Sequence, residues 1–273
     1  MTTTTPRRLA IAAVLAASAL ALTGCSMPAA LTPDAARSSV HELTAKDFAA
    51  TLAAAQKNAR TFHESLQASS GKTTLSIRAD VSEGAPGFAM RETVQVTGKP
   101  QTEVIVSSGK VWARSAKLTG GAWAASSLSQ VAASLGLAPA ALGTTGQAPA
   151  AAAFRAQAGA VAYTQTSGSQ VQVDGVWAAP YVVAIDTAAA DAFVAPLAAV
   201  AGTLPEQLDY DWWIGQDDLP RRYTVITGAA SEDVTFTGWN QQIRIVTPAP
   251  AVTTAAVYLT PAPMRSDVGG RLG

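Results

Sequence analysis

The sequence predicts an α+β protein in which an antiparallel sheet buries one face beneath helices. Three observations carry this. An apolar period near 3.6 residues over the first folded stretch gives way to a period of two. The two-residue runs are short and separated by turn residues, as in an antiparallel meander. A helix-forming insertion splits these runs into two sets, and a sheet with one apolar face needs helices to cover it.

The chain opens on an export signal. Arg7 and Arg8 precede an apolar run from Leu9 to Leu22, followed by Thr23, Gly24 and Cys25. A charged start, an apolar stretch and small residues before a cut site are the layout of a secretory signal. The run is shorter than the ~20 apolar residues that span a bilayer. Residues 1–24 are therefore expected to be removed. Leu22-Thr23-Gly24-Cys25 resembles the lipobox of bacterial lipoproteins, which implies acylation of Cys25, the single cysteine of the chain. Two or more acyl chains, at ~0.8 kcal/mol per buried CH₂, hold a protein stably at a membrane. The alternative is a secreted protein with one unpaired cysteine.

Composition narrows the class. Of 273 residues, 48% are hydrophobic and 14% charged, ample for a core and unlike a disordered chain. Loss of Arg7 and Arg8 leaves 17 basic residues against 19 acidic. No basic stripe points to nucleic acid. A single cysteine provides no intramolecular disulfide, so burial and hydrogen bonding must hold the fold.

Residues 25–42 read as a lipidated tether, with Pro28 and Pro33 in a small, polar context. Folding is expected from Leu43. Thr44 is a candidate N-cap with Asp47 three residues on. Leu43, Phe48, Leu52, Ala55, Ala59 and Phe62 predict a helix over Ala45 to Phe62. Strand alternation follows at Leu75 to Val81, Met90 to Val96, Val104 to Val106 and Val111 to Ala113, with Trp123 ending the set. Glycine-rich turns at Gly71, Gly84, Gly98 and Gly109 divide these runs.

The middle changes character. Leu128 to Leu137 and Ala150 to Ala158 read as helices around a loop at Gly143 to Pro149. Strands resume over Ala160 to Thr166, Val171 to Val173 and Trp177 to Ile185. Asp191 to Ala201 reads as a covering helix despite Pro196. The last strands are predicted at Leu208 to Ile214, from Tyr223, at Val234 to Phe236, and at Ile243 to Ile245. Residues 249–273, rich in Pro, Ala and Thr, are expected to be a poorly ordered tail.

This order of elements resembles the LppX/LprG class of actinobacterial lipoproteins, distantly similar to the LolA/LolB carriers. Besides the lipobox, tether and first helix, two stretches carry the likeness: Tyr210-Asp211-Trp212-Trp213-Ile214-Gly215-Gln216-Asp217-Asp218-Leu219-Pro220-Arg221-Arg222, and Phe236-Thr237-Gly238-Trp239-Asn240-Gln241-Gln242-Ile243-Arg244-Ile245-Val246-Thr247-Pro248, which is similar to the family's closing strand pair. The resemblance spans residues 43–248. It implies a strongly curved antiparallel β-sheet, a half-barrel, with helices covering its concave face. It further implies an apolar space there that holds acyl chains. The chain would then be a non-enzymatic, membrane-anchored lipoprotein on the extracytoplasmic face, binding a lipid or lipoglycan for carriage or presentation. The alternative is an envelope scaffold or interaction protein with a filled core.

An acyl chain needs a dry, concave, apolar surface. The inward positions of the strands are the candidates: Leu75, Ile77, Val94, Val96, Val104, Val106, Tyr181, Val183, Tyr210, Trp212, Val225 and Phe236. The competing reading is that they are core. Glu92 falls on the apolar side of its strand and is expected to reach solvent, because an unpaired buried carboxylate is costly. Asp209, Asp211, Asp217 and Asp218 lack EF-hand spacing and are read as strand-face and turn residues, so no metal is expected. His41 and His63 read as surface residues. No catalytic motif or cofactor pattern is present.

Overall fold

The switch from helical to strand period falls at Arg60. The first helix, α1 (Phe48–Ala59), buries Phe48, Ala49, Leu52, Gln56 and Ala59 on one side. Arg60 then takes φ +64°, and its N–H donates to the Gln56 carbonyl, which stops the helix. The computed structural model describes residues 42–84, 87–142, 161–166, 168–249 and 253–255. The signal, Cys25, His41, most of the tether, the loop at Gly143 to Pro149 and the helix expected at Ala150 to Ala158 lie outside these residues.

Strands then follow as β1 (Thr61–Ser70), β2 (Thr73–Gly84), β3 (Gly87–Val96), β4 (Thr102–Ser107), β5 (Lys110–Arg114) and β6 (Trp123–Ser126). A short helix, α2 (Ala116–Thr119), precedes β6. After β6 come α3 (Leu128–Leu135) and a 3₁₀ turn at Pro139–Leu142. The second set comprises β7 (Val161–Thr166), β8 (Val171–Val173), β9 (Val176–Asp186), α4 (Asp191–Ala201), β10 (Gln207–Gly215), β11 (Pro220–Thr227) and β12 (Ala230–Thr237). The three-residue β13 (Thr253–Ala255) pairs parallel to β6.

The described residues place thirteen strands in one open sheet, ordered β13-β6-β5-β4-β3-β2-β1-β12-β11-β10-β9-β7, with β8 beside β9. Every pairing except β13–β6 is antiparallel. Two meanders are joined where β1 pairs with β12, from His63 opposite Thr237 to Ser70 opposite Ala230. The result is a curved α+β half-barrel with helices over its concave face.

Each helix has a sequence reason. Ser127 caps α3 in a reciprocal capping box with Gln130, and Gly136 ends it in the left-handed conformation. On α4, Pro196 is accommodated inside the helix, which packs on β1, β2 and β12. Phe48 anchors α1 by edge-on contact with Tyr181 and Trp212, at ring-centroid distances of 5.6 and 6.0 Å.

Two expectations are corrected. The first helix stops at Ala59, and Phe62 lies in β1, a central strand whose inward residues are Phe62, Glu64, Leu66 and Ala68. Only three of those four are apolar, which obscured the alternation. Ile243 and Ile245 form no strand, since residues 241–249 have no regular structure. The chain leaves the sheet at Gly238, where φ is +63° and a Cβ would stand 2.5 Å from the His63 ring.

Candidate functional site

The sheet register collects the predicted inward residues on one face, because directly paired residues of neighbouring strands point the same way. One cross-strand row runs Tyr181, Trp212, Tyr223, Val234, Leu66, Ile77 and Val94. Another runs Val225, Glu232, Ala68, Leu75 and Val96. A third runs Phe236, Glu64, Ala79, Glu92, Val104, Ala113 and Ala124. Val106 lies opposite Met90, and Val183 opposite Tyr210. All the inward candidates named from the sequence are buried within a single core cluster.

The two ends of this face differ in bulk. Under α4, the rings of Phe193, Tyr210, Trp212 and Tyr223 pack with centroids 4.6–6.0 Å apart. Towards β4, β5 and β6 the inward residues shrink to Val104, Ala113 and Ala124. At that thinner end a pocket of about 580 Å³ is lined by Val106, Gly109 to Trp112, and Ala125 to Ser129. It lies between the β4–β5 turn and the start of α3, so a residue of the concave face borders a surface opening.

Glu92 overturns the expectation of a solvated side chain. It is 2% exposed, and two further glutamates, Glu64 and Glu232, join it on the apolar face. Burial pushes the Glu64 carboxyl up to about 7. Burial, then the neighbouring Glu64 charge, raises Glu92 well above the usual carboxylate range. Burial also lifts Glu232 to about 8, although a hydrogen bond from Tyr223 opposes this. The Tyr223 hydroxyl donates to Glu232 Oε1 at 2.9 Å. The carboxyls are buried because each takes an inward position in its strand, and the Glu64 charge adds to the proton affinity of both Glu92 and Glu232.

The acidic residues of the last strand region are not gathered. Asp209 and Asp211 are exposed on the outer face of β10. Asp217 pairs with the buried Arg221 at 2.5 Å across the β10–β11 turn. Gly215 permits that pair, since a Cβ there would stand 2.6 Å from Asp217 Oδ1. Among the described residues no group of three or more His, Cys, Asp or Glu is arranged to hold a metal ion. His63 lies on the outer face of β1, with Nδ1 2.7 Å from Asp80 Oδ1. This pair borders a shallow outer-face pocket of about 370 Å³ with Arg78 and Arg91. No helix among the described residues is long and apolar enough to cross a membrane.

No protein-family model matches the chain, and no curated protein matches it in sequence. Solved structures do match. LprF from Mycobacterium bovis superposes with a TM-score of 0.53 at 17% identity, over 75% of this chain and 97% of LprF. The fold is that of the LppX/LprG-type lipoproteins. The Mycobacterium tuberculosis lipoprotein LppX is also matched, with a TM-score of 0.47 and 14% identity, over 74% of this chain and 98% of LppX. This LppX/LprG-type fold accounts for the open, helix-covered sheet.

Sequence reasoning missed Glu64 and Glu232. Glu64 hides in a strand whose start reads as the end of a helix at Phe62 and whose remainder, up to Gly71, is assigned to no element. Glu232 stands two residues before Val234 in Ala230-Ser231-Glu232-Asp233-Val234, where apolar parity alone marks it as inward.

Proposed function

We propose that this protein is a non-enzymatic lipoprotein of the cell envelope, anchored through acylated Cys25, whose domain binds a lipid or other apolar ligand under the curved sheet. The carrying observation is the pocket at the β4–β6 end. It brings the inward residue Val106 to a surface opening beside α3, next to the buried row of Val104, Ala113 and Ala124. An acyl chain seated there would meet Val106, Val111, Ala125 and Leu128 and gain about 25 cal/mol for each Å² of apolar surface removed from water. The likeness of fold to LprF is consistent with an envelope lipoprotein. Carriage or presentation is then the mechanism, with burial of the apolar tail supplying affinity.

A second reading has an observation of its own. The aromatic packing under α4 fills that end of the interior, as a scaffold or interaction protein with a filled core requires.

Native mass spectrometry of the mature chain carrying Cys25→Ser, followed by lipid extraction, tests the two. Co-purifying acyl species, lost in Val106→Trp while circular dichroism stays unchanged, support the carrier. A bare mass, with no uptake of a fluorescent fatty acid, leaves the scaffold. Radiolabelled palmitate incorporated into the wild-type chain but not into Cys25→Ala tests the anchor.

A further inference from the structure

Three carboxyl groups stand on the apolar face with no basic partner among the described residues. Glu64, Glu92 and Glu232 are 7%, 2% and 1% exposed. The Oε2 atom of each has no hydrogen-bond partner among the described residues. The Tyr210 hydroxyl is fully buried, also without a partner, and near enough to Glu232 for the two to repel when charged. The one buried cation of the neighbouring strand, Arg221, is held by Asp217. Glu232 is served by the Tyr223 hydroxyl at Oε1 and by the Leu197 backbone, and its Oε2 remains open.

Cores rarely leave buried polar atoms unpaired, and apolar residues of similar volume would pack here without that penalty. Glu64 and Glu92 flank Ala79, the smallest of the inward residues Leu75, Ile77, Ala79 and Val81 of β2, so only a methyl group stands in the row between the two carboxyls. The same row continues through Val104 and Ala113 towards the β4–β6 end.

We infer that Glu64, Glu92 and Glu232 with Tyr210 form a polar subsite within the ligand space, which receives a hydrogen-bond donor, a hydroxyl or a protonated amine, carried on an apolar ligand. This rests on the ligand-binding reading above. The three Oε2 atoms are acceptors in either ionisation state, so a donor on the ligand satisfies them. An anionic head is rejected at this depth once the carboxyls ionise, because it then brings a like charge and no donor.

The test is competition for an environment-sensitive naphthyl probe on the mature chain carrying Cys25→Ser. Three ligands share one tail: dodecanol, dodecylamine and dodecyl acetate, the last having no donor. At pH 7.5 dodecanol and dodecylamine are expected to compete about tenfold better than dodecyl acetate. Raising the pH from 6 to 8.5 distinguishes the sources. Amine binding strengthens as the carboxyls ionise, whereas binding of a hydroxyl does not. In Glu64→Met and Glu92→Leu the preference falls towards unity while dodecyl acetate binds as before. Equal competition by all three ligands on the unmodified chain overturns the subsite and leaves the ligand-binding reading standing. If none displaces the probe although the probe binds, the subsite and that reading both fall. The ligand comparison decides the matter even if a variant does not fold.

Discussion

Glu64 and Glu92 stand on either side of Ala79, paired with it from β1 and from β3, so two carboxyl groups share one inward row of an otherwise apolar face. They interact electrostatically, and the Glu64 charge raises the cost of ionising Glu92. This relationship governs how the fold should respond to pH.

Unfolded glutamates ionise near ~4.3. In the folded chain Glu64 is raised to about 7 and Glu232 to about 8, and Glu92 is raised well above the usual range. A raised carboxyl holds its proton longer in the native state. Its contribution is therefore complete below the unfolded value and is lost as pH rises through the folded one. The facing tyrosines, Tyr210 and Tyr223, are both pushed up and stay neutral across this window. Glu103 acts oppositely at low pH: partial burial pushes it up, but hydrogen bonds from Arg114 and Arg91 outweigh this and hold it below its usual range. Stability should peak near pH 5 and decline towards pH 8.5, by roughly 3 kcal/mol from Glu64 alone. Thermal melting across this range checks it, and Glu92→Leu should flatten the slope.

Tyr223→Phe removes the donor to Glu232 Oε1 and keeps the ring. A buried acceptor left without its partner costs about 1–3 kcal/mol. Urea unfolding at pH 6 should show that loss, and the proton affinity of Glu232 should rise further. Wild-type stability in this variant would mean the bond contributes nothing.

Phe48→Ala empties the anchor of α1. Phe48 has no exposed surface and meets both Tyr181 and Trp212 edge-on. A loss of about 3–5 kcal/mol is expected from the cavity and the lost transfer energy. Tryptophan emission should shift to the red as water reaches Trp212. An unshifted spectrum would show that α1 is not the cover for this part of the face.

Ser127→Ala breaks the capping box of α3, in which Ser127 Oγ accepts from the Gln130 N–H and Gln130 Oε1 accepts from the Ser127 N–H. Loss of about 1 kcal/mol in denaturant unfolding is expected. Because α3 borders the pocket at the β4–β6 end, probe uptake should change along with stability if that pocket is an entrance.

Much of the fold was legible because local pattern and tertiary demand agree. Leu75, Ile77, Ala79 and Val81 alternate as an inward strand face, and the structure buries all four. α3 and its stop near Gly136 were readable for the same reason, whereas its capping box at Ser127 was not singled out. β1 was not, because His63-Glu64-Ser65-Leu66-Gln67-Ala68-Ser69-Ser70 holds two apolar residues and has no strong β former. Its place is set by partners far away in the chain, β12 on one side and β2 on the other.

The sequence by itself determined the export signal pattern, the two strand sets, the covering helices and the apolar parity of the inward residues. These are local properties, encoded in periods of a few residues. Only the tertiary structure decided that β1 joins the two meanders, that residues 241–249 leave the sheet, and that Glu64, Glu92 and Glu232 end up on one buried face. Parity can say that a glutamate points inward, but burial depends on what covers the sheet there. Over the strands of Glu64 and Glu232 that cover is α4, whose packing against β1 and β2 joins segments more than a hundred residues apart.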